Sequence, residues 1–373
     1  MKIGIACYPT YGGSGVVATE LGKNLARRGH EVHFFSYALP YRLNEFLENI
    51  FFHEVEVPQY PLFKYPPYAL SLATKMAEIA VHEKLDFIHV HYAIPHAISA
   101  YLSREMIADQ HTVRIITTLH GTDITLVGVD PSFMRITRFG INRSDAVTAV
   151  SQFLKEETER TFEPKVPIHV IHNFIEEHPL QEQVCGHLKE RLAPHGEPIL
   201  VHLSNFRPVK RVLDVLEIAA RVRRKLAVKL LFIGDGPDRS LAEQKARELK
   251  MEQNVIFLGK QENIYPFLTI GDVFIMPSAL ESFGLAALEA MSCGVPCVTS
   301  RVGGLKEIMR DGITGFTAEV GDVETMSEHV LHILQNPDLK QRLSRSAREY
   351  AFDNFHVDRI IPQYLALYES LQS

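Results

Sequence analysis

The sequence predicts an α/β protein made of two doubly wound, Rossmann-like domains that face each other across a cleft. Three observations carry this reading. Short apolar runs alternate with amphipathic runs of helical period along almost the whole chain, which is the pattern of parallel sheets covered on both faces. The alternation breaks once, near residues 174–198, where Glu, Pro, His and Gly collect. Glycines and polar side chains also gather where strands give way to helices, and that is where open α/β sheets hold ligands.

The first half opens on the apolar run Ile3–Cys7, then Gly12-Gly-Ser-Gly15, then a helix from about Val16 to Arg28 closed by Gly29. Strands follow at 31–35 and 51–57, then an ordered Pro- and Tyr-rich loop at 58–67 and a helix over 69–82. Strand 87–91, helix 95–106, strand 113–119, helix 132–142, strand 146–150, a helix over 152–161 capped by Ser151, and strand 168–171 complete it. The second half repeats the scheme. Strands are expected at 199–203, 229–233, 255–258, 273–276 and from Cys297, separated by helices at 211–225, 239–250, near Tyr265, 285–291 and 305–310. Asp311-Gly-Ile-Thr-Gly315 reads as a tight turn, and the tail as three helices over 323–335, 337–352 and 356–371. The divisions are therefore 1–175, a linker at 176–197, 198–355, and a terminal helix at 356–373.

With 373 residues, 46% hydrophobic and 23% charged, the chain has material for two cores. A net charge of −6 argues against nucleic-acid binding. Cys7, Cys185, Cys293 and Cys297 form no zinc-type pair, and so few cysteines suggest a reducing compartment. Lys2 leads directly into an apolar strand without a signal-peptide pattern, and no apolar run reaches membrane-spanning length. A cytoplasmic protein without stable membrane association is expected. No basic, aromatic-studded surface helix of the kind that docks on lipid is expected in the first half.

The most informative stretch is Glu281-Ser-Phe-Gly-Leu-Ala-Ala-Leu-Glu289. Its centre is a strand-to-helix turn whose free amides and helix dipole attract an anion. Glu289, just inside that helix, is either a solvated residue or an acceptor for a sugar diol. Asn205-Phe-Arg-Pro-Val-Lys-Arg211 places three cations where a helix should start. That is unfavourable unless an anion is bound there, so Arg207 and Lys210 could clamp a diphosphate. Gly12–Gly15 matches neither a dinucleotide fingerprint nor a P-loop, so no such cofactor is supported. His120-Gly-Thr-Asp123 ends a strand, and its imidazole could bind a sugar hydroxyl or move a proton. His89 and His91 share a strand face near His96, but no carboxylate or thiol completes a metal site, and none is expected. Glu281 and Glu289 as a glycosidase pair would need to project together from a loop and a helix, which is unfavourable.

Taken together, these residues resemble retaining glycosyltransferases of the GT-B architecture, in the large family 4 that uses nucleotide-sugar donors. The resemblance spans nearly the whole chain, and Glu281-x7-Glu289 with Gly13, His120 and Lys210 in order is its specific part. It implies that Glu281 contacts the donor sugar, that the Phe283, Gly284 and Leu285 backbone contacts sugar and phosphate, and that Glu289 holds the ribose. It implies that uracil lies near Lys260 and Gln261, and that the terminal helix crosses back to the first domain. The family's usual Arg five positions before the phosphate-binding Lys is Asn205 here, so Arg207 is expected to take its part. A narrower resemblance rests on Gly12–Gly22, Tyr65-Pro-Pro-Tyr68, His89–Ala97, Thr117–Thr125 and Ser204–Arg211. It points to the members that transfer N-acetylglucosamine from UDP-GlcNAc to L-malate in bacillithiol biosynthesis. It implies front-face attack, with the departing phosphate taking the acceptor's proton and no metal or cofactor required. Catalytic roles then fall to His120, Arg207, Lys210 and Glu281. Donor contacts fall to Gly13, Asn205, Arg207, Lys210, Lys260, Gln261, Glu281, Phe283, Gly284, Leu285 and Glu289. Malate, a small dianion, needs donors and a cation, and the candidates are Ser14, Tyr92, Thr118 and Arg138, with Arg135 and Arg143 as competing cations. A homodimer is possible. The rival readings are a UDP-GlcNAc 2-epimerase, a two-lobed binding protein, and a family 4 enzyme acting on a lipid, polysaccharide or other small-molecule acceptor.

Overall fold

A computed structural model describes residues 1–57, 64–178 and 182–372. The chain divides into two compact units: Met1–Asn173 with Asp358–Ser373, and Phe174–Val357. Residues 58–63 of the Pro- and Tyr-rich stretch and residues 179–181 of the expected linker lie outside the described residues.

The first unit is built on seven strands: β1 (Lys2–Ala6), β2 (Glu31–Ser36), β3 (Ile50–Glu54), β4 (Phe87–His91), β5 (Arg114–Leu119), β6 (Ala146–Ala149) and β7 (Ile168–Val170). They pair in the order β3-β2-β1-β4-β5-β6-β7, all parallel. The central strands β1, β4 and β5 are buried along almost their whole length because helices cover both faces. Ile3, Ile5, Phe34, Phe87, Ile88 and Val90 are fully buried. The winding direction changes between β1 and β4, and this switch point leaves a crevice at the carboxyl ends of the two strands. The terminal helix Val357–Gln372 supplies two buried tyrosines, Tyr364 and Tyr368, to this unit from residue 358 onward.

The second unit has six parallel strands, β8 (Ile199–Leu203), β9 (Lys229–Ile233), β10 (Val255–Gly259), β11 (Val273–Met276), β12 (Cys297–Ser300) and β13 (Gly315–Ala318), in the order β10-β9-β8-β11-β12-β13. The switch point lies between β8 and β11. A continuous core runs from Leu200, Leu230 and Phe232 through Val215 and Ile218 to Val330 and Leu343. Helix Glu182–Leu192, inside the stretch read as a linker, belongs to this unit.

Two elements differ from expectation. The stretch Asp311–Gly315 was expected to be a tight turn leading straight to helices, yet Gly315–Ala318 adds the sixth strand beside β12. Gly315 lets this happen: a Cβ there would sit 2.0 Å from the Cys297 carbonyl oxygen, so only glycine permits that approach. The first helix begins at Gly13, not Val16, so Gly13, Ser14 and Gly15 form its first turn and the loop is residues 7–12.

Candidate active site

In the second unit, the carboxyl ends of β8 and β11 bring two separate stretches together. β8 runs into Ser204–Arg207, and a single 3₁₀ turn, Pro208–Lys210, then lifts Lys210. The Ala279 N–H donates to the Val209 carbonyl at 2.8 Å, tying this turn to the loop after β11. Lys210 Nζ donates to Glu281 Oε1 at 2.6 Å, and Ser278 Oγ donates to the same oxygen at 2.8 Å. Glu281 is only 8% exposed, so its charge is balanced by a lysine that reaches towards solvent. Gly284 then turns the chain at φ +98°, and a Cβ there would meet Leu305 Cδ2 at 2.4 Å. The helix Leu285–Ser292 follows at once, and its first amides lack intrahelical acceptors. Phe283 is buried beneath this turn, and Glu289, one turn in, is 6% exposed.

The rest of this edge is shaped by close backbone approaches. Gly234 and Gly236, after β9, would place a Cβ 1.9 Å from the carbonyls of Ser204 and Asn205. His202, which sequence reasoning missed, organises the same corner. Its Nδ1–H donates to the Ile275 carbonyl at 2.8 Å, so its Nε2 is the acceptor for the Ser204 hydroxyl, also at 2.8 Å. Burial holds this imidazole down to about 4. Asn205 follows, its Oδ1 buried without a partner among the described residues. Arg207 is exposed, whereas Arg211, the third cation of the motif, is taken by Asp214 at 2.6 Å. Lys260 and Gln261 lie directly after β10, Lys260 exposed and Gln261 bonded by its side-chain amide to the Leu258 carbonyl at 2.6 Å.

In the first unit, the strand-end loops converge on His120. Its Nε2 lies 2.7 Å from Nδ1 of His91, and the two rings stack at 5.0 Å. Asp123 cages the loop: its carboxylate accepts from the N–H groups of Ala93 (2.9 Å), Gly121 (2.9 Å) and His120 (3.3 Å). Burial pushes this carboxyl up to about 6, and the backbone donors hold it from rising further. Tyr92 sits at φ +91°, a conformation rare for a non-glycine residue. Its O–H donates to Ser14 Oγ at 2.6 Å, and its ring lies 5.3 Å from that of His120. Gly13, Ser14, Tyr92 and His120 are thus placed at the same strand-end edge. Burial, reinforced by neighbouring imidazoles, pushes His120 and His89 down to about 3.

Two expectations for this unit are corrected, and a third candidate is seen in its surroundings. Thr118 was expected to face an acceptor, but it is fully buried and its hydroxyl is shared between His89 Nε2 and Thr148 Oγ1, both at 2.7 Å. The register places Thr118 beside His91 on one side and Thr148 on the other, on the strand face that also carries His89. Arg138, the expected cation for acceptor carboxylates, is paired at the surface with Glu163 at 3.4 Å. Glu163 follows the helix Gln152–Phe162, which descends from the carboxyl end of β6, so Arg138 is near the opposite edge of the sheet. Arg135, one turn earlier, is nearer the strand ends, while Arg143 lies over the rings of Tyr101 and Phe139. Finally, an aromatic surface helix does exist: helix Pro131–Asn142 exposes Phe133, Met134, Ile136 and Phe139 alongside Arg135 and Arg138.

His89 and His91 are not a metal pair. Nδ1 of His89 bonds the Tyr368 hydroxyl at 2.7 Å, and its other nitrogen bonds Thr118. The one cluster of potential ligand atoms among the described residues is Glu31, His33 and Glu83, where the Lys2 ammonium already pairs with Glu31 at 2.8 Å. No helix among the described residues is long and apolar enough to cross a membrane.

Two parallel α/β units with a lysine–glutamate pair and a helix start at one switch point, and a caged histidine at the other, define a glycosyltransferase of the GT-B fold. Residues 11–178 match the Glycosyltransferase Family 4 model and residues 187–350 the model for glycosyl transferases group 1. The chain belongs to this glycosyltransferase family. It is 48% identical over 369 residues to the N-acetyl-alpha-D-glucosaminyl L-malate synthase of Bacillus anthracis, covering 99% of this chain and 96% of that one. Among solved structures, a glycosyltransferase of Rickettsia africae superposes with a TM-score of 0.81 at 20% identity, covering 100% of this chain and 98% of that one. Anabaena HepE in complex with UDP-glucose does so with a TM-score of 0.79 at 20% identity, covering 99% and 100%.

Proposed function

We propose that the chain transfers N-acetylglucosamine from UDP-GlcNAc to the hydroxyl of L-malate, with retention at the anomeric carbon. The observation that carries this reading is the 48% identity to an N-acetyl-alpha-D-glucosaminyl L-malate synthase, running through both units. The geometry supports a donor site on the second unit. Lys210 and Arg207, with the amides at Gly284 and Leu285, would neutralise the diphosphate as it leaves. Asn205 would add a polar contact there. Glu281, oriented by Lys210 and Ser278, would hold the donor sugar over the Phe283 turn. Glu289 would accept from the ribose hydroxyls, and Lys260 and Gln261 would border the uracil. On the first unit Gly13, Ser14, Tyr92 and His120 would receive the acceptor, with Arg135 now the better-placed cation. No carboxylate stands out as a nucleophile, so retention would follow from front-face attack, the acceptor's proton passing to the leaving phosphate. Catalysis would then rest on positioning and charge stabilisation. The test is UDP release from UDP-GlcNAc with and without L-malate, followed by product mass. Malate-dependent release with a glycoside of the summed mass is expected. UDP-GlcNAc conversion with no acceptor present would replace this reading with an epimerase.

A second reading has one observation in its favour. The exposed apolar and basic face of Pro131–Asn142 suits an enzyme whose acceptor is held at a lipid surface. Sedimentation with anionic vesicles, and turnover on a lipid acceptor but not on malate, would favour it.

A further inference from the structure

The His120 ring has a fixed partner behind it. His91 is fully buried on β4, with its ring held between those of His89 (4.9 Å) and His120 (5.0 Å). Its own carbonyl accepts the Nδ1–H of buried His96 at 2.5 Å. Between His91 Nδ1 and His120 Nε2, 2.7 Å apart, one nitrogen carries the hydrogen and the other the lone pair. Burial pushes both imidazoles far below their usual range, so each ring is neutral and has one N–H.

The two arrangements differ at the far side of His91. Its Nε2 is buried and has no hydrogen-bond partner among the described residues. If His120 donated, His91 would carry its hydrogen on Nε2, leaving a buried donor unpaired. If His91 donates, the atom left alone is an acceptor lone pair. Unpaired buried N–H groups are the rarer and costlier case. With His91 as donor, His120 Nε2 is occupied and its hydrogen is on Nδ1, on the other side of a ring that is partly exposed.

We infer that His91 is a positioning residue that locks neutral His120 into the Nδ1–H form, so that His120 meets substrate as a hydrogen-bond donor and not as a base. This rests on the reading that His120 faces a substrate. It also decides between the two roles open to that histidine: the hydrogen on Nδ1 is given to a substrate oxygen, and the lone pair that could take a proton is already engaged by His91. It agrees with a mechanism in which the leaving phosphate, not a side chain, receives the acceptor's proton.

Two measurements test it. Long-range proton–nitrogen correlation spectra of the full chain, labelled with 15N-histidine, report which ring nitrogen is protonated, and the signals missing from His120→Gln identify His120. Hydrogen on His120 Nδ1 alone is expected near neutral pH; hydrogen on Nε2, in either the other tautomer or the charged ring, overturns the inference. This arm needs no substrate, so its failure is distinct from failure of the malate assignment. In the kinetic arm, His91→Asn keeps an amide N–H near the place of Nδ1, whereas His91→Leu removes it. Turnover is expected to fall by about tenfold or more in His91→Leu, the worth of one hydrogen bond, and to be largely restored in His91→Asn. Equal turnover in the two variants, high or low, would mean that His91 only fills space. If His91→Leu fails to fold, the spectra and the His91→Asn rates still decide.

Discussion

The two units share one winding scheme and differ in what they place at its switch point. The first surrounds its strand ends with neutral imidazoles: His89, His91, His96 and His120 are all depressed by burial. The second places opposite charges there, Lys210 against Glu281 at 2.6 Å, with one buried histidine, His202, as a structural tie. A doubly wound sheet therefore fixes where a site forms and leaves its electrostatics to a few residues at the strand ends. In this protein, hydrogen-bond geometry is concentrated on one unit and charge on the other.

The largest expected effect comes from breaking the charged side. Lys210→Ala removes the cation placed for the leaving diphosphate and leaves Glu281 buried beside Ser278 alone. Turnover should fall by about 10²–10³, as when one preorganised transition-state contact is removed. The circular dichroism spectrum should be preserved. A variant that still turns over at near wild-type rate would show that the Lys210–Glu281 pair serves folding alone.

Acid separates the units next. A histidine depressed in the folded state stays neutral there while the unfolded chain binds protons below about 6.5. Stability is therefore present above that value and is lost as pH falls towards the folded values, about 3 for His89 and about 4 for His96. Each such imidazole costs up to about 1.4 kcal/mol per pH unit across that window. Asp123 works the other way. Its folded value is raised to about 6, so between there and its ordinary range the folded state holds the extra proton, and acid relieves a cost. One carboxyl cannot offset several imidazoles. The first unit should lose protection before the second between about pH 6 and pH 4, as read by hydrogen exchange with mass spectrometry. Earlier opening of the second unit would remove the proposed contrast.

The same contrast sets how much could be read from the sequence. Apolar period and glycine punctuation give nearly every strand and helix, because each is a local pattern. Glu281-x7-Glu289 is also local, and its geometry follows from one glycine at positive φ. The first unit's network is not local. Whether Thr118 faces a ligand or His89 and Thr148 depends on the register of three parallel strands, and His91 meets His120 only because β4 and β5 are neighbours. The strand Gly315–Ala318 was hidden for a related reason: four residues between turn signals carry no period, and their place is set by β12. His202 reads as one more polar residue in an apolar strand until the Ile275 carbonyl is seen beside it.

The smallest effect tests which arginine of the helix Pro131–Asn142 serves the acceptor. Arg138 lies on the helix after His120, and its pair with Glu163 spans 3.4 Å between side chains that are 48% and 77% exposed. Such a pair contributes roughly 0–1 kcal/mol. Arg138→Ala should leave KM for the acceptor and turnover within about twofold of wild type, the change expected when an exposed pair is lost. Arg135→Ala, one turn nearer the strand ends, should raise the acceptor's KM with little change in KM for UDP-GlcNAc. The paired variants matter more than either alone, because both remove one positive charge from the same helix. A general loss of attraction for a dianion would affect them equally, whereas a built contact distinguishes them. If Arg138→Ala were the one to raise the acceptor's KM, the helix would have to turn its second half towards the substrate, and the Glu163 pair would be a resting state that substrate displaces.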